Sequence, residues 1–289
     1  MPTPPRQVPI GDRVPRPAAP IQRPPRDRTG VPSLLCLGFL LWATPSTGFP
    51  EGSKDLRPST DKPQESPAEA QGREWSRRLR TSAPEQPSTN QAVLRIRTRE
   101  GRRKVPVTVI TRPGSDRWSV EYRVAGDGAA DPVQVAIIHH HSQGPPSFEV
   151  NSPAATRGTA DEGRPGAGPK AGDQSVGGSD FLLKELGMEF LHWPEQRILT
   201  RELSNGRWCR VLESRSGRAD GPAAVRSWID EKLGVVLSAE VYDSRHVRIK
   251  HFSVTQFREL ADRWTCSVSM VDDLRGTKTE LSFDGPAPR

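Results

Sequence analysis

From residue 91 onward, apolar and polar side chains alternate with a period of two, and this pattern limits the fold more than any other feature. Leu94 and Ile96 fall on one face, Arg95 and Arg97 on the other. Val105, Val107 and Val109 alternate with Pro106, Thr108 and Ile110, and Trp118, Val120, Tyr122 and Val124 with Ser119, Glu121 and Arg123. Successive strand residues point to opposite faces, so each run predicts a half-buried strand. Glu100-Gly101, Pro113-Gly114 and Gly126-Asp127-Gly128 supply the turns between them. Runs at 133–139 and 148–150 continue the series. Further strands follow at 207–213, 223–230, 235–242, 247–257, 263–271 and 277–283. About eleven sequential strands with short connections predict a mostly β protein, an antiparallel sheet curled around one apolar face with few helices to cover it.

One helix is expected within this series. Ser179 and Asp180 offer an N-cap, Phe181, Leu182, Leu183 and Leu186 recur at helical spacing, and Gly187 offers a C-cap. An apolar but irregular stretch, 188–200, comes next. Before the helix, residues 152–178 hold seven Gly and three Pro with no Leu, Ile or aromatic residue, which reads as an insertion.

The remainder of the 289 residues is of a different kind. Residues 1–48 form a leader, whose first thirty residues carry nine Pro and six Arg and no apolar run. The uncharged stretch Val31–Ala43 follows, and small and turn-forming residues close the leader. Thirteen helical residues span about 20 Å, short of the roughly 30 Å hydrocarbon core of a bilayer. Basic flank, short apolar core and small-residue exit are the marks of a cleaved secretory signal peptide, and the expected location is the periplasm, with membrane tethering if cleavage fails. Translation starting near Val14 would give a basic flank of more ordinary length. Residues 49–90, with basic and acidic residues balanced seven to seven, read as a disordered linker, and 284–289 as a tail. The formal charge of +7 falls mostly on the leader. Beyond residue 48 the chain has 36 basic and 33 acidic side chains, so no nucleic-acid partner is expected.

Motifs for chemistry are sparse. No Gly-x-Ser-x-Gly, phosphate loop, dinucleotide fingerprint or His-Glu-x-x-His occurs, and no cofactor, metal or catalytic residue is expected. His139, His140 and His141 are consecutive, but neighbours on a strand diverge, so they read as an exposed strand end. Cys209 and Cys266 are candidates for one disulfide in an oxidising compartment, with a free buried thiol as the other reading.

The segments GSDFLLKELGMEFLHWPEQRIL, GRWCRVLES, RSWIDEKLGVVLSAEVYD and WTCSVSMVDDLRGTKTELSF, in this order over residues 178–283, resemble the bacterial outer-membrane lipoprotein-sorting (LolA-like) family, and more closely its divergent verrucomicrobial and planctomycete-type branch. With the earlier strands, the resemblance spans 91–283. It implies a half-open antiparallel β-barrel with one or two short helices over a concave apolar face that accepts acyl chains. It also implies a non-enzymatic, monomeric carrier or binder of lipid or lipoprotein that works with inner- or outer-membrane lipoprotein machinery. A second role carried by the same half-barrel is envelope-stress sensing, in which lipid and a partner protein are bound. Phe181, Leu186, Phe190 and Trp193 lie where a lid over the barrel mouth would sit, and are the candidate lipid contacts.

Overall fold

The computed structural model describes residues 65–126, 132–151, 170–218, 220–260 and 263–283, with the side chains of 132, 257–260 and 263–266 left out. The leader, the apolar stretch 31–43, most of the insertion and the tail lie outside these residues. Within them the alternating pattern folds as expected, into one antiparallel sheet. Its strands are β1 (Ser88–Arg97), β2 (Arg102–Arg112), β3 (Arg117–Ala125), β4 (Pro132–His141), β5 (Ser147–Asn151), β6 (Glu195–Ser204), β7 (Arg207–Arg215), β8 (Ala224–Asp230), β9 (Val236–Tyr242), β10 (Arg248–Leu260), β11 (Arg263–Asp272) and β12 (Thr277–Phe283).

The spatial order is β5-β4-β3-β2-β1-β12-β11-β10-β9-β8-β7-β6. Two unbroken meanders, β1–β5 and β6–β12, are therefore joined by the pairing of the first strand with the last, in the register Leu94 with Leu281 and Ile96 with Thr279. The sheet stays open, with β5 and β6 as its edges. The turns are tight: Asn205 and Gly206, at φ 50° and 74°, are a left-handed pair that returns β6 into β7 within two residues.

The inward rows form the core. Leu94, Val107, Tyr122 and Ile138 from one meander meet Leu212, Ile229, Leu237, Val268 and Leu281 from the other, all buried. Topology then dictates what covers them. The chain leaves the sheet at one edge, β5, and re-enters at the opposite edge, β6, so the connection must cross the concave face. Its described part, 170–194, contains helix α2 (Leu183–Leu186) and the 3-10 turns Ala171–Asp173, Val176–Gly178 and Glu189–His192.

Three expectations are corrected. Twelve strands form, because the stretch 188–200 ends in β6, an edge strand whose only buried residues are Gln196 and Ile198. The helix expected from Ser179 is a single turn starting at Leu183, since Asp180 bonds to the sheet instead of capping. Residues 67–81 of the supposed linker form α1 (Pro67–Thr81), the longest helix among the described residues. Its start is built by a capping box, in which the Ser66 hydroxyl accepts from the Glu69 amide at 3.3 Å and the Glu69 carboxylate accepts from the Ser66 amide at 3.0 Å. No described helix is long and apolar enough to cross a membrane.

Helix α1 lies on edge strand β6. Only glycine permits this approach, because a Cβ on Gly72 would stand 2.4 Å from the Gln196 carbonyl oxygen. Gly72→Val is expected to lift α1 from β6, measured as faster amide exchange across 67–81 with the sheet still protected.

Candidate functional site

The crossing segment is pinned to the sheet at several points. Asp180 is buried, and its carboxylate accepts from the hydroxyls of Thr277 at 2.6 Å and Thr279 at 2.8 Å, both on β12. Lys250 on β10 donates to the Glu185 carboxylate at 3.0 Å and to the Asp180 carbonyl at 3.1 Å. Burial pushes the Glu185 carboxyl above its usual range, against the opposing pull of the Lys250 ammonium. This pair is a structural brace.

The end of the segment is held through its carbonyls. The Gln196 amide donates to the Phe190 and Trp193 carbonyls, each at 3.0 Å, and its oxygen accepts from Ser214 at 2.7 Å. Ser76 of α1 donates to the Leu191 carbonyl at 2.5 Å, and Arg80 reaches His192 Nδ1 at 3.5 Å. Helix α1 thus supports the turn that covers the sheet. Met188, at φ 51°, sits in the left-handed region where the chain passes from α2 into that turn.

Beneath the turn is a cavity of about 140 Å³. Its floor comes from inward positions of β8 to β11: Val225, Ala239, Val241, Phe252 and Met270. These are cross-strand neighbours, Val225 opposite Val241, Ala239 opposite Phe252, and Phe252 opposite Met270. Phe190 and Trp193 form the wall; Lys184, Glu185 and Glu189 also line it, and the exposed Arg218 and Asp220 supply its charged rim. An apolar interior with a charged rim suits an amphiphile, whose tail leaves water while its polar end remains wetted. The indole N–H of Trp193 is buried without a hydrogen-bond partner among the described residues, which marks it as a donor without an acceptor beside an apolar space.

Of the four candidates from the sequence, Phe190 and Trp193 line the cavity. Phe181 and Leu186 are buried in the core and are not among its walls. The floor residues carry no motif; their signal is the inward register, with the small Ala239 leaving room among larger neighbours. Cys209 is a free buried thiol on β7, and three strands separate β7 from β11, which carries Cys266.

The histidine run ends strand β4 as expected, but it is not exposed throughout. His139 and His141 do share a face, meeting the Glu149 carboxylate and the Ser147 hydroxyl, each at 3.1 Å. His140 points the other way, is buried, and stacks on Trp118 with ring centroids 3.7 Å apart. Burial, with smaller contributions from His192, His141 and His139, lowers its pKa to about 3. Among the described residues no three His, Cys, Asp or Glu side chains converge as a metal site.

A family profile described as that of an uncharacterized protein matches residues 167–287. No curated protein matches the chain. Among solved structures, it is similar to an outer membrane lipoprotein-sorting protein domain from Vibrio parahaemolyticus, with 18% identity and a TM-score of 0.58 over 74% of this chain and 91% of that one. A DUF1329 family protein from Desulfovibrio piger is similar at 13% identity and a TM-score of 0.58, over 75% of this chain and 91% of that one. A LolA superfamily protein from Nitrosomonas europaea aligns over 76% of this chain and 92% of that one, with 14% identity and a TM-score of 0.49. On the first two alignments, the chain shares its overall fold with these two structures.

Proposed function

We propose that the protein is a non-enzymatic periplasmic carrier that takes an acyl chain of a lipid or lipoprotein under the turn 189–193, shields it from water and releases it to a membrane acceptor. The observation that carries this reading is the apolar cavity between the sheet and its lid, open to a charged rim. The basic flank and apolar stretch ahead of the domain support export. Size sets the mechanism. A cavity near 150 Å³ holds about one benzene ring, so 140 Å³ takes roughly six carbons of a chain. At about 0.8 kcal/mol per methylene, these contribute roughly 5 kcal/mol. A longer chain requires the Phe190–Trp193 wall to move outward, which ties uptake to the bonds from Gln196 and Ser76. The Trp193 N–H then meets the ester or amide oxygen of the ligand.

Native mass spectrometry and displacement of a fluorescent fatty acid test this. Ala239→Phe places a ring in the cavity without enlarging the fold, and is expected to weaken probe binding at least ten-fold with the melting temperature nearly unchanged. A parent protein that neither carries lipid nor binds the probe would exclude the carrier role.

A further inference from the structure

We propose that the outward face of β1, β2 and β12 docks on a bilayer containing acidic phospholipid. Register places five cations together there. Arg97 lies opposite Arg102 on β2 and Lys278 on β12, and Arg95 lies opposite Lys104 on β2 and Glu280 on β12. Arg95, Arg97, Arg102, Lys104 and Lys278 are all exposed, and Glu280 is the single acid among them. Directly opposed residues in such a sheet are about 5 Å apart, and like charges at that distance destabilise it.

Several buried acids elsewhere gather cations, as at Glu213, which receives Arg197, Arg215 and Arg226. Among the described residues none of the five cations has an ion-pair partner; Arg95 donates to the Ser282 hydroxyl. A chain that balances 36 basic against 33 acidic residues beyond residue 48 therefore concentrates unpaired positive charge on one hairpin and its neighbour.

Two further observations favour a bilayer over another polyanion. The turn between β11 and β12 presents Leu274, 69% exposed, beside this face, and a side chain on Gly276 of that turn would come within 3.8 Å of Arg99. An apolar side chain beside a cationic surface suits the headgroup boundary, where charge meets phosphate and Leu274 meets acyl chains. The antiparallel order also puts the β1–β2 and β11–β12 turns at the same end of the strands as the β7–β8 loop, which carries Arg218 and Asp220 of the cavity mouth. A tilt from the outward face toward this end would bring the mouth to the membrane. The surface is argued from register and charge, and stands whether or not the cavity holds lipid.

The test is partition of the full chain onto vesicles of phosphatidylglycerol with phosphatidylethanolamine, against vesicles of phosphatidylcholine. The comparison protein is Arg97→Gln/Arg102→Gln/Lys104→Gln; the leader and apolar stretch 31–43, common to both, drop out. Each cation near an anionic surface is worth about five-fold in binding, so the variant is expected to lose on the order of a hundred-fold on acidic vesicles and nothing on neutral ones. Raising the salt should narrow the difference. The variant relieves like-charge pairs and should melt no lower than the parent; Lys278→Glu provides a second, single-site reading with the same direction. Leu274→Ser should weaken binding by an amount that salt leaves unchanged. Equal binding of parent and variant to acidic vesicles would overturn the proposal, as would equal binding of the parent to both lipids. Salt-sensitive retention of the parent on DNA without vesicle binding would overturn it in favour of a nucleic-acid polyanion.

Discussion

Asp180→Ala is expected to destabilise the protein by about 3 kcal/mol and to lower its melting temperature by roughly 6–12 °C. The carboxylate is buried, and Thr277 and Thr279 both donate to it. Thr279 is itself fully buried and also accepts from the Asp180 amide at 3.0 Å. Truncation removes two charge-assisted bonds and leaves one of the hydroxyls with no water to turn to, so the loss approaches the desolvation cost of a buried polar group rather than the smaller net worth of a surface bond. The same bonds hold the crossing segment to β12, and amide exchange at 181–193 should accelerate more than exchange in β12. Calorimetry decides the matter: a loss below 1 kcal/mol would mean that the segment is held by its apolar contacts alone.

His140→Phe is expected to remove much of the protein's acid sensitivity. In the unfolded chain a histidine titrates near 6.5, whereas burial holds that of His140 near 3. The folded state thus excludes a proton that the unfolded state binds. The neutral ring's contribution is complete above pH 6.5 and is lost progressively as pH falls toward 3, by about 1.4 kcal/mol per unit. His192, on the lid turn and beside Arg80, is lowered to about 4 by burial and then by that guanidinium, and adds to the slope in the same window, less strongly because it is half-buried. Phenylalanine keeps the stack on Trp118 and eliminates the buried His140 Nε2, which has no hydrogen-bond partner among the described residues. At pH 5 the variant should be more stable than the parent by about 2 kcal/mol, with little difference at pH 7.5.

The carboxylates act lower on the pH scale. At Glu213 burial raises the pKa, but hydrogen bonds from Arg215, Arg226 and Arg197 leave it below its usual range. At Glu121 burial is likewise outweighed by Arg123 and Arg112. Their stabilisation is present above about pH 4.5 and is lost as pH falls further. Melting temperatures between pH 4.5 and 7.5 therefore report the histidines together with Glu185, whose raised carboxyl acts in the opposite sense as pH rises; a variant with the parent's slope there would show that His140 contributes nothing to it.

Most of the sheet was legible because burying one face of a strand enforces the period of two, as at Trp118, Val120, Tyr122 and Val124. Strand β6 was not, since an edge strand of sequence EQRILTRELS buries too little to show a period. Helix α1 was hidden by composition: its contact with the sheet uses Gly72, Ser76 and Leu79 rather than an apolar stripe. The capping signature Ser66-Pro67-Ala68-Glu69 was nevertheless in plain sight. Asp180 looked like a cap because capping and bracing a sheet use the same short carboxylate, and only the fold brings Thr277 and Thr279 within its reach. The cavity had half a signature. Phe190 and Trp193 stood out as large apolar residues in an irregular stretch, while the floor is ordinary strand sequence that becomes a site only through its register.

The pairing of β1 with β12 governs when this protein can fold. Strand β1 is complete by residue 97, yet its partner begins at Thr277, so the ladder between them must wait for almost the whole chain to be made. Contacts so distant in sequence form slowly, because the closure entropy of the intervening chain comes before any bond rewards it. For an exported carrier, as proposed above, this delay is an advantage: the sheet cannot lock before its last strand arrives. A chain ending before Thr277 would leave two meanders, each with an uncovered apolar face.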